Sequence, residues 1–178
     1  SRRLLLAPVI ALIGVLPLIP GVPVFWITVM NNIGLASLVA IGLVLLTGVG
    51  GITSFGQAAF CGIGAYTTAV LSTTFGWSPW LTLPVALAIT FAVSAVLGLV
   101  TMRLSGHYLP LGTIAWGISL YFLFPQLDIL GRHDGISRIP PLSVFGFDLI
   151  DGRAIYFVIW IAVGLVALAT LNLLDSRV

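Results

Sequence analysis

The sequence predicts an all-α, polytopic transmembrane helix bundle of about six spans, interrupted by one Gly-rich broken or re-entrant segment. Three observations carry this. Of the 178 residues, 60% are apolar and only 7% charged, against about 45–50% and about 25% in soluble domains. The mean hydropathy is +1.21. Arg3 and Arg103 bracket 99 consecutive residues without a formal charge, and a water-soluble fold would need charged surface somewhere in such a stretch. The same composition excludes disorder, which is polar and charge-rich. Nucleic acid is excluded as a partner as well: the pI is about 9.1, but the net charge is only +2 and no basic patch exists.

A helix needs about 20 mostly apolar residues to cross ~30 Å of hydrocarbon. Six segments qualify: about Leu4 to Ile19, short and broken by Pro8 and Pro17; Trp26 to Leu46; Gln57 to Phe75; Leu81 to Met102; Tyr108 to Leu127; and Ala154 to Leu174. Turn-forming residues punctuate them, with Pro20-Gly21-Val22-Pro23 after the first, Gly76-Trp77-Ser78-Pro79 after the third and Ser105-Gly106 before the fifth. The opening Ser1-Arg2-Arg3-Leu4-Leu5-Leu6 also looks like a twin-arginine export signal, yet no small-residue cleavage site follows it. All of residues 1–178 read as one transmembrane domain, expected to be incomplete at its C-terminus.

All seven cations are Arg and all five anions are Asp. With the N-terminus inside, Arg2, Arg3, Arg103 and Arg177 share the inner face with Asp175 alone. Arg132, Arg138 and Arg153 then fall outside among Asp128, Asp134, Asp148 and Asp151, as the positive-inside rule favours. Trp26, Trp77, Trp80 and Tyr156 fall near the outer boundaries, where amphipathic rings prefer to lie. Cys61 sits in an apolar run and reads as a small packing residue. His107 and His133 have no Cys or Glu companions, so no metal-ligand set is present, and no cofactor is expected.

The stretch Thr47-Gly48-Val49-Gly50-Gly51-Ile52-Thr53-Ser54-Phe55-Gly56-Gln57 is too rich in Gly for a simple lipid-facing helix. Either it is a short cytoplasmic turn, or it is a broken segment whose free amides and carbonyls line a solute route, since irregular backbone at membrane depth survives only against protein or a water-filled cavity. The following residues are small, with Ala58, Gly62 and Tyr66 on one face and Ala65 and Ala69 on another. Ala86, Thr90, Ser94 and Gly98 repeat the four-residue spacing in the fourth span. Such stripes mark helix–helix packing, because close approach drives association in lipid. Asn31 and Asn32 suit interhelical hydrogen bonding. Residues 128–153 form the only sizeable polar region, an outer loop containing Arg132, Asp134, Gly135 and Arg138. It reads as a docking surface, a lid or a plain solvated loop, with a small hairpin around Gly146. No nucleophile–base or paired-carboxylate arrangement points to catalysis, and no residues are assigned as catalytic.

These residues carry a resemblance. Gly50-Gly51-Ile52-Thr53-Ser54-Phe55-Gly56-Gln57-Ala58-Ala59-Phe60, followed by Gly62-Ile63-Gly64-Ala65-Tyr66, resembles the signature of branched-chain amino acid ABC transporter permeases of the LIV type. Arg103-Leu104-Ser105-Gly106-His107-Tyr108-Leu109-Pro110-Leu111-Gly112-Thr113 is similar to the family's second recognisable stretch, and Asp134-Gly135-Ile136-Ser137-Arg138-Ile139-Pro140 to its third. In two respects the chain departs from the pattern: Ile52 directly follows Gly50-Gly51 where a Gln is usual, and the chain stops before the segment that contacts the ATPase.

The resemblance implies a permease subunit of an importer in the bacterial inner membrane, working with a second permease subunit, two cytoplasmic ATPases and a periplasmic solute-binding protein, with lipid around it. It places residues 50–57 beside the translocation route, with Gly50, Gly51, Thr53, Ser54, Gly56, Gln57 and Tyr66 as candidates, and the 128–153 loop on the periplasmic side. The residues themselves add two constraints. No Gly-x-x-x-x-Gly-Lys phosphate loop occurs, so the chain does not hydrolyse ATP. The first four spans hold no charge, which disfavours ion-coupled transport. A membrane anchor, or a channel for a small neutral solute such as urea, remains the alternative.

Overall fold

The computed structural model describes residues 14, 17, 19, 21–101, 103–104, 108–144 and 147–175. Among them five α-helices follow in order: α1 (Val24–Val44), α2 (Gln57–Thr73), α3 (Pro79–Thr101), α4 (Tyr108–Leu123) and α5 (Gly152–Asp175). A π-helical turn, Leu45–Val49, prolongs α1, and a 3-10 turn, Phe124–Gln126, prolongs α4. These match the second to sixth expected spans. The first, Leu4 to Ile19, lies outside the described residues except at 14, 17 and 19, as do Arg2, Arg3, His107 and Arg177.

Among the described residues four helical segments are long and apolar enough to cross a membrane: Val24–Val49, Pro79–Thr101, Tyr108–Gln126 and Gly152–Asp175. The exception is α2. Its 17 residues rise only about 26 Å, and its hydroxyl residues lower its hydropathy. Each Ser and Thr hydroxyl is nevertheless made compatible with lipid by donating to a carbonyl of its own helix, as Thr67 does to Ile63 at 2.7 Å and Thr68 to Gly64 at 3.1 Å. Few apolar side chains are buried. Ile27, Ala59, Ala69, Ala86, Leu130 and Tyr156 are, whereas aromatics such as Phe25, Phe91 and Tyr121 stand exposed. Apolar surface of that extent is untenable in water and natural in hydrocarbon; this is a membrane protein.

The chain divides into two compact units, Ser1–Gly42 with Leu149–Val178, and Leu43–Asp148. In the first, Ile27 and Asn31 of α1 lie beside Gly152 of α5, and Gly34 lies beside Ile159 and Trp160, so the two helices run side by side in the same direction. A Cβ on Gly34 would stand 2.6 Å from Ile159 Cγ2, so only glycine permits this approach. Arg153 closes one end of the pair by donating from Nη2 to the carbonyl of Val22 at 3.0 Å and from Nη1 to that of Pro17 at 3.4 Å.

In the second unit α2 packs on α3, with Ala69 and Ala86 buried and Gly64 facing Thr90. On another face, α2 meets the end of α4. A Cβ on Gly62 would lie 2.7 Å from the ring of Phe124, and the Tyr66 ring sits 5.0 Å from that ring, centroid to centroid. The polar loop is folded rather than trailing. Two 3-10 turns, Asp128–Leu130 and Arg132–Asp134, are stitched by an Arg132–Asp128 ion pair. Gly131, at φ +78°, lies so close to the Gly135 carbonyl that a Cβ would overlap it. Strands β1 (Ser143–Val144) and β2 (Phe147–Asp148) pair antiparallel, Ser143 opposite Asp148, giving the expected hairpin, although Gly146 lies outside the described residues. Trp80 Nε1 donates to the Ser143 carbonyl at 2.6 Å, fastening the hairpin to the start of α3.

Candidate functional site

The Gly-rich stretch produces a real interruption. Helix α1 first widens: Gly50 N donates to the Leu45 carbonyl at 3.2 Å, five residues back. Gly51 then takes φ +63°, a left-handed conformation that favours glycine, and Ile52 N reaches back to the Leu46 carbonyl at 3.2 Å. Glycine is needed at position 50 too, where a Cβ would stand 2.6 Å from the Leu46 carbonyl oxygen. Residues 50–56 are non-helical, and α2 begins at Gln57.

Beyond Gly51 the chain is non-helical, and burial alternates along residues 53–56. Ser54 and Gly56 are buried, whereas Gly51, Thr53 and Phe55 are exposed. The inward set borders a cavity of about 530 Å³. Its walls are Ile52, Ser54 and Gly56 from the break, Ala59 and Phe60 from α2, Ser94, Leu97, Gly98 and Thr101 from α3, and Leu109, Thr113 and Trp116 from α4, with Leu46 and Leu104 completing it. None of these side chains is ionisable. The hydroxyls of Ser94, Thr101 and Thr113 donate to carbonyls of their own helices, leaving their oxygen lone pairs as acceptors. The break is tied to α4 where Phe55 N donates to Thr113 Oγ1 at 3.1 Å.

Of the residues singled out in the sequence, Ser54 and Gly56 line this cavity. Gly50 and Gly51 shape the turn that leads to it, Thr53 faces away, and Gln57 opens α2 without lining it. Tyr66 is placed against Phe124, apart from the cavity. Among the residues expected to pack helices, Gly62, Ala86 and Thr90 lie at helix contacts. Ser94 and Gly98 border the cavity, and a Cβ on Gly98 would meet nothing within 4 Å. Thr101, Thr113 and Trp116 join the site from helices remote in sequence. Arg132, Asp134 and Arg138 are exposed on the loop, the two arginines at φ 52° and 61°.

This architecture has sequence relatives. Residues 25–178 match the profile of the family described as branched-chain amino acid transport system / permease component. The chain belongs to this family. It is similar to the high-affinity branched-chain amino acid transport system permease protein LivM of Escherichia coli (strain K12) and to that of Salmonella typhimurium. Each is 35% identical over 112 residues, covering 62% of this chain and 26% of the relative. The matched stretch thus spans about a quarter of the relatives' length. No solved structure matches significantly.

Proposed function

We propose that this chain is membrane-embedded permease machinery of an ATP-driven importer for branched-chain amino acids or a related small solute, and that the 50–56 break and its cavity border the solute's route. The observation that supports this most is the cavity wall itself, which combines hydroxyl oxygens and irregular backbone with aliphatic and aromatic surface and, among the described residues, holds no ionisable side chain. A branched-chain amino acid needs both halves of such a wall. Its hydrocarbon suits Phe60, Leu97, Leu109 and Trp116, while the lone pairs of Ser94, Thr101 and Thr113 accept from its ammonium group. A fixed charge in the wall would hold a zwitterion too tightly for passage. The volume falls within the range of small-molecule sites, roughly 300–1,000 Å³.

In this reading the helices alternate between two arrangements, biased by ATP binding and hydrolysis on partner ATPase subunits. A second permease subunit completes the pathway, and a periplasmic binding protein delivers solute to the outer loop that carries Arg132, Asp134, Gly135 and Arg138. The N-terminus lies on the cytoplasmic side, in the bacterial inner membrane. The test is uptake by proteoliposomes of the full complex carrying Gly51→Leu or Gln57→Leu. Leucine at position 51 must adopt a left-handed conformation at a cost of about 1–3 kcal/mol, so the break should move and uptake should fall. Normal uptake in both variants would remove the break from the route.

A further inference from the structure

We infer that Thr113 is a positioning residue whose hydroxyl clips the Gly-rich break onto α4 and thereby fixes one wall of the cavity. Other backbone hydrogen bonds of the break are local: Gly50 N to the Leu45 carbonyl, Ile52 N to the Leu46 carbonyl, Gly56 N to Ser54 Oγ and Ala59 N to the Gly56 carbonyl. Phe55 N to Thr113 Oγ1, at 3.1 Å, joins groups 58 residues apart. The hydroxyl hydrogen of Thr113 is committed to the Pro110 carbonyl at 2.8 Å, which turns a lone pair toward the Phe55 amide and gives the clip a defined direction. The break also comes close at the next residue, where a Cβ on Gly56 would lie 3.4 Å from the Thr113 carbonyl oxygen and 3.8 Å from its Cβ. Phe55 sits between the buried Ser54 and Gly56, so holding its amide holds both of them toward the cavity. Thr113 lies in the cavity wall with both of them, so one side chain both lines the space and holds the edge beside it.

The consequence for transport rests on the proposed role of the break; the clip itself does not. The test uses the full-length protein, with the subunits that copurify with it, in lipid nanodiscs. Amide hydrogen exchange is followed at the peptide covering Phe55, and uptake is measured in parallel after reconstitution. Thr113→Val keeps the shape and loses the acceptor; Thr113→Ser keeps the acceptor; Thr113→Ala is the second acceptor-free variant should valine fail to fold. Exchange at Phe55 should quicken about fivefold to tenfold in the valine and alanine variants and stay near the parent in the serine variant, with α2 peptides unchanged. Uptake should fall with valine and recover with serine. Exchange at Phe55 unchanged by both valine and alanine overturns the clip whatever uptake does. Faster exchange with normal uptake upholds the clip and removes the break from the solute's route.

Discussion

The side-chain amide of Asn31 donates to the carbonyl oxygen of Gly152 at 2.9 Å, joining the buried face of α1 to the first residue of α5. The carbonyl group of a helix's first residue would ordinarily be satisfied within that helix, so this bond adds a second donor and sets the register of the pair. Close by, Asn31 Oδ1 and Trp160 Nε1 are buried with no hydrogen-bond partner among the described residues. The amide therefore acts through one bond, and its contribution is that of a single interhelical contact in lipid.

Replacing Asn31 with Leu should destabilise the α1–α5 pair by about 0.6–2 kcal/mol, read as a lower midpoint in thermal unfolding of the detergent-solubilised protein. Asn32→Leu is the control. Asn32 is exposed, and its replacement should leave the midpoint unchanged.

Two glycines of α1 should respond in opposite senses. Alanine at Gly34 places a Cβ 2.6 Å from Ile159 Cγ2, whereas alanine at Gly42 meets nothing within 4 Å. Gly34→Ala should cost about 1–3 kcal/mol through overpacking, and Gly42→Ala should be neutral or stabilising by up to about 1 kcal/mol through helix propensity. The same unfolding measurement separates them.

Gly62 and Phe124 should show coupled energetics. Gly62→Ala forces a Cβ to 2.7 Å from the phenyl ring and should destabilise, while Phe124→Leu opens space. The double variant should recover about 0.5–3 kcal/mol relative to the sum of the single changes. Additive costs in a double-mutant cycle would mean that the two residues do not share the contact.

The hairpin offers a chemical readout. In a Cys61→Ala background, Ser143→Cys should react with a membrane-impermeant maleimide from outside intact cells, and Trp80→Phe should raise that rate about fivefold by releasing the Ser143 carbonyl. Labelling only after lysis would reverse the proposed orientation.

The helices were legible because charge is excluded over so long a stretch, leaving turn residues as the only punctuation. Their starts were less so. Helix α3 begins at Pro79 rather than near Leu81, because proline suits the first helical turn, where its missing N–H is not needed. Helix α5 begins at Gly152, and the Asp151 carbonyl accepts from Ala154 and Ile155. The break was visible as a cost, since so many glycines have no reason to sit in a lipid-facing helix. What it faces was not visible, because spacing within one segment says which residues share a side but not which neighbour covers it. Tyr66 shares a face with Gly62, as their four-residue spacing implies, yet Phe124 covers that face. Ser94 and Gly98 follow the same spacing as Ala86 and Thr90 and open onto the cavity. Thr113 ends the stretch from Arg103, but its partner amide is 58 residues away in sequence.

The wide turn at Leu45–Val49 makes residue count matter more than residue identity there. It already closes over one residue more than an ordinary helical turn, so inserting a further residue would have no wider turn to enter and would rotate everything downstream by roughly 100° about the helix axis. Leu46 and the non-helical run from Ile52 to Gly56 would then lose their common orientation without any side chain having been altered. Insertions in this stretch should be far less tolerated than conservative exchanges of its aliphatic side chains.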